Sequence, residues 1–286
     1  MRFEWIHGQR GAFGVPVMCE VLQVSRSGYY AWTERPPSAR ERRAAELTDA
    51  IRAAHEQSAG TYGSPRVHAE LAERKIDACV NTVAKLMRKD GIRSKMHRKF
   101  VARTTDSAHD LPVAPNRLGR NFEADLPDRK WCCDITYVPT GEGFLYLAAV
   151  IDLCSRRIVG WSMAGHLRAE LCADALGMAI ESRRPGAGLL HHSDRGVQYA
   201  SIDYQRLLQS HEIEVSMSRL GDCYDNAAME SFWGTLKTEL VHHHDYETRA
   251  QAKASIFQYI ECWYNRRRRH SAIGYKSPEQ FEARLN

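Results

Sequence analysis

The order of strand-like and helix-like segments in the second half of the chain most constrains its fold. Three β-rich runs come first, joined by short segments of turn-forming residues, and they predict an antiparallel meander. The expected strands are 131–138, 144–152 and 157–163, followed by a helix at 169–181, a strand at 188–192, a helix at 202–209, a strand at 213–216, and helices at 226–240 and 249–264. A meander followed by alternating helices and strands predicts an α/β fold, a mixed five-stranded sheet with flanking helices.

The first hundred residues carry only helical patterns. Helices are predicted at 39–57, 65–74 and 81–89, after a short helical pair within 14–32. Asn81 is the expected N-cap of the last helix, and Gly91 is its expected C-terminal stop. Small helices followed by a basic stretch indicate a small all-α, helix-turn-helix-like DNA-binding region, with a plain helical bundle as the alternative.

A change in composition separates these two parts. Thr, Ser, Pro and Asn dominate between Arg103 and Asp128, which is typical of a linker. We therefore predict a helical DNA-binding or assembly region at 1–102, a linker at 103–128, and a catalytic core with a C-terminal helix and basic tail at 129–286.

Composition narrows the class of protein. The chain of 286 residues is 43% hydrophobic and 26% charged, which argues against wholesale disorder. Its N-terminus has no signal-peptide core, and no stretch approaches the length of a membrane span. Eight scattered cysteines without a Cys-x-x-Cys pair predict free thiols in a reducing compartment. These features favour a soluble, cytoplasmic protein.

Two basic clusters predict nucleic-acid contacts, although the net charge is only +5. The first spans residues 85–103, and the second is an arginine run at 266–269 that would repel itself without an anion. Each phosphate neutralised by such a cluster releases counterions, which favours DNA binding, while solvated helix faces are the alternative. The residues of these clusters expected to contact DNA are Arg93, Lys95, Arg98, Lys99, Arg266, Arg267, Arg268 and Arg269.

Three carboxylates occupy positions that call for an explanation. Asp134 stands in the middle of a predicted strand, where a charge needs a compensating cation or hydrogen bonds. Asp194 directly follows a strand, at the edge where α/β sheets place their sites. Glu230 lies on a predicted helix, and Asn226 and Lys237 fall within about 40° and about 20° of it around the helix axis. Hard oxygen ligands of this kind suit Mg²⁺ or Mn²⁺, and a pair of such ions catalyses in-line phosphoryl displacement.

The spacing of these acids resembles that of a known catalytic core. There are 59 residues between Asp134 and Asp194 and 35 between Asp194 and Glu230, and the second gap is that of the D-D-35-E integrases and transposases. The surrounding sequence resembles the second-frame (OrfB) transposases of the IS-three family of bacterial insertion sequences. Matching stretches are 131–137, 151–153, 155–156, 158–161, 192–196, 198–199, 216–219, 225–227, 230–231, Lys237 with Glu239, 264–266, 269–270 and 277–278, with 27–30 and 62–63 upstream.

The resemblance implies an RNase H-like fold and a transposase that cuts element ends and joins the freed 3′-hydroxyl to target DNA. By position, Asp134, Asp194 and Glu230 would be the catalytic metal ligands, Lys237 would contact DNA near the cut, and Asn226 is added as a further DNA contact. The implied partners are terminal inverted repeats, target DNA and further copies of the chain on DNA. In this family an upstream frame usually supplies a leucine zipper by frameshift fusion, and no heptad array starts this chain. An upstream-frame partner is therefore a further expectation.

Other polar residues have simpler interpretations. Asp152 is expected to form a hairpin turn. Asp222 and Asp225 flank the loop before the Glu230 helix and are expected to cap that helix, with Asp225 or Asn226 near the N-cap. Consecutive histidines at 242–244 point in different directions on a helix, which argues against chelation. His192 could orient the site or make a structural hydrogen bond. Trp131, Trp161 and Trp233 are assigned to the core.

Two other functions fit parts of these observations. A metal-dependent ribonuclease H would share the fold but cut RNA in hybrids without joining strands. A non-catalytic DNA-binding regulator would bind DNA and show no dependence on the three acids. The helical N-terminal region and the arginine-rich C-terminus favour the transposase, because a hybrid-cutting nuclease needs neither.

Overall fold

The computed structural model describes residues 1–95, 112–219 and 223–285. The N-terminal part of the described chain is helical. Its helices are α1 (Arg2–Gln9), α2 (Val15–Val21), α3 (Arg26–Glu34), α4 (Ala39–Gln57), α5 (Ser64–Glu73) and α6 (Val80–Lys89). Helix α4 has the predicted bounds and begins with a capping box between Ser38 and Glu41, in which each residue satisfies a backbone N–H of the other. Helix α1 was not predicted.

One predicted helix boundary is wrong in detail. Helix α6 begins at Val80 with Cys79 in the N-cap position, so Asn81 lies inside the first turn and caps nothing. Gly91 follows the helix with φ +71°, and Ile92 N–H donates to Met87 O, which is the geometry of a glycine stop. The predicted C-terminal signal is therefore confirmed.

The second half of the chain forms the predicted mixed sheet. Its strands are β1 (Lys130–Val138), β2 (Leu145–Asp152), β3 (Ile158–Ala164), β4 (Leu190–Ser193) and β5 (Glu214–Met217). They lie in the order β3-β2-β1-β4-β5, with β1–β2 and β2–β3 antiparallel and β1–β4 and β4–β5 parallel. The meander is confirmed, and β1 lies at the centre of the sheet.

Helices cover both faces of this sheet. They are α7 (Ala169–Arg183), α8 (Val197–Ala200), α9 (Ile202–Ser210), α10 (Ala227–Glu239), α11 (Arg249–Gln258), which continues as a π-helix over Tyr259–Tyr264, and α12 (Pro278–Glu282). Alternate residues of β1 face opposite sides: Cys132 packs with α10 and α11, and Cys133 packs with α7 and α9. Burial of a large apolar side chain contributes about 1.5–3 kcal/mol. The sheet and the helices packed on its two faces therefore form a three-layer α/β/α core.

Close packing fixes α7 on the sheet. A Cβ at Gly160 of β3 would lie 2.2 Å from Ala175 O, so only glycine allows the helix backbone to approach the strand this closely. The approach holds α7 against the β2–β3 side of the sheet, opposite the layer that carries α10.

The described part of the predicted linker contains neither helix nor strand, and residues 103–111 lie outside the described residues. It is nevertheless attached to the sheet. The backbone N–H groups of Arg117 and Leu118 donate to Ser216 Oγ on β5, and Leu118 is 3% exposed. This segment therefore packs along the β5 edge of the core.

The α4–α6 part contacts the C-terminal segment of the chain. Tyr62 Oη donates to Arg267 O and accepts from Arg269 N–H, and Arg269 forms ion pairs with Glu70 and Glu73 on α5. These contacts join residues about two hundred positions apart in the sequence. No helix in the described ranges combines the length and apolarity needed to cross a bilayer.

Candidate active site and nucleic-acid interface

Strand register brings two of the three predicted catalytic acids together. Strands β1 and β4 are parallel neighbours, with Cys132 opposite His192. Two residues further along both chains, the same register places Asp134 level with Asp194, one residue beyond the end of β4. Both side chains are half-buried. Two acids that are 60 positions apart in sequence thus lie side by side at the carboxyl end of β4.

The environment of Asp134 strongly favours its protonated form. Burial and then the charge of Asp194 raise the pKa of Asp134 to about 8, and the charge of Glu230 adds to the rise. Two hydrogen bonds oppose it, from Ile135 N–H and from the indole Nε1–H of Trp233, which lies 2.9 Å from Asp134 Oδ2. A cation at this position would relieve the repulsion, so the donor set and its electrostatics fit a hard divalent ion.

Asp194 lies in a tight turn between β4 and α8. Its Oδ1 accepts a hydrogen bond from Gly196 N–H at 2.9 Å. A Cβ at Gly196 would lie 3.0 Å from that same oxygen and 3.0 Å from Gln198 Oε1. A side chain at position 196 would therefore crowd the carboxylate.

Glu230 lies in the first turn of α10, and its carboxyl is exposed. Burial of part of the group raises its pKa. Within the described ranges, no group of three or more His, Cys, Asp or Glu side chains is close enough to hold a metal ion as the side chains stand. Asp134 and Asp194 are thus adjacent, and Glu230 acts on Asp134 through its charge from the neighbouring helix.

Two polar residues of α10 and its entry turn lie beside Asp134. Lys237 is 8% exposed, with Nζ 5.3 Å from the centre of the Tyr137 ring on β1, and burial lowers its pKa while the charge of Asp134 raises it. Asn226 is 5% exposed and its Nδ2 donates to Cys133 O, while its buried Oδ1 has no hydrogen-bond partner within the part of the chain described. Both predicted DNA contacts are thus largely buried against β1.

Trp233 is a site residue that the sequence analysis assigned only to the core. It is 6% exposed and packs in the α10 side of the core, as expected, but its Nε1–H also holds Asp134 Oδ2. Its position three residues after Glu230, one turn along the same side of the helix, was the available signal.

Of the two predicted N-cap candidates of α10, Asn226 takes that position and Asp225 does not. Asn226 occupies the N-cap position without a side-chain cap bond, and Asp225 is fully buried as the acceptor for Arg219, Arg120 and Asn116. The hydrogen bonds from Arg219 hold the pKa of Asp225 well below its usual range. Asp225 therefore ties the linker to the loop before α10. Asp222 lies outside the described residues.

The arginine run divides into two pairs. Arg268 and Arg269 are 4% and 5% exposed: Arg268 Nη2 binds Glu239 Oε1 at 2.8 Å, and Arg269 Nη2 binds Glu70 Oε2 at 2.8 Å. The premise that the run needs an external anion is wrong for these two, because the protein's own carboxylates neutralise them. Arg266 and Arg267 are exposed.

The first basic cluster is described only in part. Arg93 is exposed, whereas Lys95 is half-buried and its Nζ donates to Glu239 O at 3.0 Å. Arg98 and Lys99 lie outside the described residues. Of this cluster, the structure thus describes one solvent-facing arginine and one lysine that joins the α4–α6 part to α10.

The remaining predicted polar residues have structural partners. Asp152 forms the expected turn, since its carboxylate accepts from Ser155 N–H, Ser155 Oγ–H and Asp128 N–H. The buried ring of His192 lies between Ser216 Oγ and Ser218 Oγ, at 2.8 and 3.1 Å.

Two of the tryptophans assigned to the core differ in burial: Trp131 is fully buried, and Trp161 is only partly buried. The seven cysteines whose side chains are described are free thiols.

Comparison with known families agrees with this architecture. Residues 124–223 and 211–278 match the integrase core domain family, and residues 41–100 match the HTH-like domain family. The first two segments span the sheet, α10 and the C-terminal segment, and the third spans α4–α6.

Close relatives match almost the whole chain. "Transposase InsF for insertion sequence IS3A" of Escherichia coli strain K12 is 44% identical over 284 residues, which cover 99% of this chain and 98% of that protein. "Insertion element IS600 uncharacterized 31 kDa protein" of Shigella sonnei is 46% identical over 269 residues, 94% of this chain and 98% of that one.

Solved structures are similar at lower identity. A simian T-cell lymphotropic virus intasome in complex with PP2A regulatory subunit B56 gamma is 16% identical with a TM-score of 0.48, over 77% of this chain and 74% of that chain. The HTLV-2 integrase catalytic core domain in complex with magnesium (dimeric form) is also 16% identical, with a TM-score of 0.43 over 56% of this chain and 99% of that one.

The mixed five-stranded sheet, its flanking helices and the two matched core segments define an integrase-core protein with an RNase H-like fold and an N-terminal helix-turn-helix-like region. More narrowly, the chain belongs to the IS3 family of insertion-sequence transposases. The predicted family and fold class are confirmed.

Proposed function

We propose that this transposase cuts DNA at insertion-sequence ends and transfers the 3′-hydroxyl into target DNA, with Asp134, Asp194 and Glu230 as its catalytic carboxylates. The observation that carries the proposal is the parallel β1–β4 register, which sets Asp134 beside Asp194 at the end of the sheet next to α10. A half-buried pair of acids at this edge has no structural purpose that an apolar pair would not serve at lower cost.

The same three residues would hold Mg²⁺ or Mn²⁺, because hard carboxylate oxygens are the ligands that these ions prefer. A pair of ions, when bound, supplies activation of the attacking oxygen and stabilisation of the leaving oxygen. The raised pKa of Asp134 supports this assignment, since burial and then the negative charge of Asp194 cause it, and a bound cation would offset both effects. Ligation by all three acids requires their side chains to draw closer together than they stand.

The neighbouring residues of the chain position the reacting strand. Trp233 fixes the orientation of the Asp134 carboxyl through the hydrogen bond from its indole N–H to Oδ2. Lys237, held between Tyr137 and Asp134, would place a positive charge near the scissile phosphate. Asn226, whose Oδ1 has no hydrogen-bond partner within the described residues, would hydrogen-bond the bound DNA after a small rotation.

DNA beyond the cut would contact the exposed basic residues. We assign phosphate contacts to Arg93, Arg266 and Arg267, together with Arg98 and Lys99 of the undescribed stretch. Lys95, Arg268 and Arg269 would act indirectly, because their charges already face protein groups. The helical region at 1–102 would bind DNA or assemble copies, the linker at 103–128 would connect it, and residues 129–286 would catalyse.

The partners follow from this reaction. Terminal inverted repeats and target DNA are the substrates, and several copies of the chain would act together because two element ends must be joined in one complex. An upstream-frame protein or a frameshift fusion would supply further DNA-binding and zipper segments. A transposase of this kind would work in the bacterial cytoplasm, on the nucleoid.

A strand-transfer assay with 3′-ended DNA and Mg²⁺ tests the proposal. The protein is expected to join the DNA strands, and Asp134→Ala, Asp194→Ala and Glu230→Gln are each expected to abolish joining while preserving DNA binding. Cleavage restricted to RNA in hybrids would indicate a ribonuclease H instead, and binding without chemistry would indicate a regulator. Normal cutting by Glu230→Gln would refute the carboxylate assignment.

The salt dependence of DNA affinity tests the basic contacts. Each phosphate neutralised by a cation contributes a slope of about −0.9 in a plot of log affinity against log salt concentration. Replacement of Arg266 and Arg267 by Gln is expected to make the slope shallower by about 2, whereas Arg206→Gln, an exposed arginine on α9, serves as the matched control. An unchanged slope would exclude the pair as phosphate contacts.

A further inference from the structure

A cavity of about 330 Å³ lies between α10, α5, the turn that joins β2 to β3, and the C-terminal segment. We call it the arginine cavity and define it by six of its lining residues: Arg66, Arg156, Phe232, Tyr264, Arg268 and His270. Three of these are arginines, and no Asp or Glu of the described residues belongs to the lining. The wall therefore carries several positive side chains and no acidic one.

Two of the three arginines have partners within the protein. Arg268 binds both carboxylate oxygens of Glu239, and Arg66 Nε donates to Arg269 O at 3.0 Å. Arg66 Nη1 also lies 4.0 Å from Glu239 Oε1, so a single carboxylate faces two cations. Burial lowers the pKa of Arg66, and the charge of Arg268 lowers it by more than the charge of Glu239 raises it. Glu239 therefore offsets the two cations only in part.

Arg156 is the third cation, and it has no carboxylate partner. Its Nε is enclosed by protein without a hydrogen bond, and Arg156 takes part in no ion pair within the ranges that the structure describes. Burial, and then the charges of Arg268, Arg66 and Arg156, lower the pKa of His270 well below its usual range. All three guanidinium groups thus act on one imidazole ring, which stays neutral. The three arginines exceed the one nearby carboxylate by two positive charges.

The backbone at Arg156 gives an independent indication that its side chain has a role. Its φ is +61°, in the left-handed region that glycine and asparagine adopt more readily than arginine. The turn is held by Asp152, whose carboxylate accepts hydrogen bonds from Ser155 N–H and Ser155 Oγ–H. A residue without a further role at this position would favour glycine or asparagine. Unfavourable backbone conformations of this kind concentrate at functional sites.

We propose that the arginine cavity binds one phosphate group. Guanidinium groups offer pairs of N–H donors that match phosphate oxygens, and the surplus of positive charge suits an anion. Phe232 and Tyr264, which are 2% and 3% exposed, line the same space with apolar rings, and a wall of low polarity strengthens the attraction between opposite charges. Arg156 would be the main contact, and Arg268 would stay bound to Glu239.

Two sources supply such a group: the backbone of bound DNA and a free phosphate compound. A duplex is too wide for a space of this volume, so a DNA strand would present one backbone phosphate at the mouth of the cavity. A free phosphate would enter on its own. Both sources require Arg156 in the same way, and the experiment distinguishes them.

The Tm of the protein in phosphate tests the free source. The wild type, Arg156→Gln and Arg156→Lys are compared in sodium phosphate and in sodium chloride at equal pH and ionic strength, with EDTA. A free-phosphate site predicts a gain in Tm for the wild type that Arg156→Gln loses and Arg156→Lys partly keeps, because a ligand of the folded state stabilises it. Phosphate also stabilises proteins generally, and that part of the gain is common to all three proteins.

The salt dependence of duplex binding, also measured in EDTA, tests the DNA source. Loss of one phosphate contact makes the slope of log affinity against log salt concentration shallower by about 0.9. Arg156→Gln is expected to show this change and to bind the duplex about tenfold more weakly at low salt. Arg206→Gln, which removes an exposed arginine on α9, is the matched control and should keep the wild-type slope and affinity.

The Tm of Arg156→Gln in chloride separates binding from folding. It is expected to hold or rise, because the variant removes a cation without an ion-pair partner beside Arg66 and Arg268. A large fall would assign Arg156 a structural role and overturn the proposal. So would an Arg156→Gln protein that keeps both the wild-type gain in phosphate and the wild-type slope, or equal losses in Arg206→Gln. Neither measurement uses catalysis, so the result is independent of the three proposed catalytic acids.

Discussion

At the scale of single residues, Trp233 shows how an apparent core side chain can tune a proposed catalytic acid. Its indole is buried among apolar neighbours on the α10 side of the sheet, yet its Nε1–H donates to Asp134 Oδ2. The bond favours the ionised carboxylate and partly offsets the effect of burial on its pKa. Packing and electrostatics therefore constrain position 233 together.

Trp233→Phe is expected to raise the pKa of Asp134 further by about 1, since a hydrogen bond to a charged group is worth about 1.5–3 kcal/mol and 1.36 kcal/mol corresponds to one pH unit. The acid limb of the pH profile of DNA cleavage should move to higher pH. Trp131→Phe removes an equally buried indole that donates to Asp128, so it should cost stability without moving that limb. Identical profiles for both variants would contradict the role given to Trp233.

The raised pKa of Asp134 also predicts how the stability of the protein without bound metal changes with pH. A carboxyl whose folded-state pKa is raised stabilises the fold below its unfolded pKa, near 3.8, and loses that contribution as the pH rises towards about 8. Asp134→Asn should therefore have a higher Tm than the wild type at pH 8 in EDTA, with the difference vanishing near pH 4. Asp174 is exposed, so Asp174→Asn changes the net charge equally but should show no such pH-dependent difference in Tm. Addition of Mg²⁺ should raise the Tm of the wild type at pH 8 and have less effect on Asp134→Asn.

At the scale of elements, the local sequence predicts what the segments are better than how they pair. Apolar alternation and turn residues identified all five strands, and Asp194 was correctly expected at a strand end. The proximity of Asp134 and Asp194 depends on the parallel β1–β4 pairing, which no local pattern encodes. Helix α1 was missed because it is only eight residues long and buries only Ile6, so its apolar pattern is too short to stand out.

The contact between β3 and α7 gives a test at this scale. Gly160→Ala is expected to destabilise the protein by at least about 3 kcal/mol, because its Cβ would lie 2.2 Å from Ala175 O and 2.7 Å from Ala179 N. Gly177→Ala on the other side of α7 meets no atom within 4 Å and should stabilise the helix by about 0.5–1 kcal/mol. Chemical denaturation measures both, and a mild effect at position 160 would show that α7 can shift freely on the sheet.

At the scale of the whole molecule, adjacent arginines connect three parts of the chain. Arg268 binds Glu239 on α10, and Arg269 binds Glu70 and Glu73 on α5. Sequence analysis found the arginine run but assigned it to DNA, since its partners lie 29 and 199 positions away and no local signal links them. Arg266 and Arg267, the preceding residues of the same run, are exposed to solvent instead.

Arg269→Gln is expected to loosen the α4–α6 part from the C-terminal segment. Loss of one partner from a largely buried ion pair costs about 3–5 kcal/mol, and less here because Glu73 is partly exposed. Amide hydrogen exchange in α5 should accelerate relative to the sheet. Arg43→Gln removes an exposed pair on α4 with Glu46 and should change little. Unchanged exchange in α5 would show that apolar packing alone holds this region.

The long sequence separation of that contact has a consequence for biosynthesis. Glu70 leaves the ribosome 199 residues before Arg269, a delay of about 10 to 40 s at bacterial or eukaryotic elongation rates. Throughout that interval the α4–α6 cluster must persist on its own apolar core. With the proposed binding of DNA by α4–α6, a nascent chain would reach DNA near its own gene before its integrase core has folded, which would favour the element that encodes it.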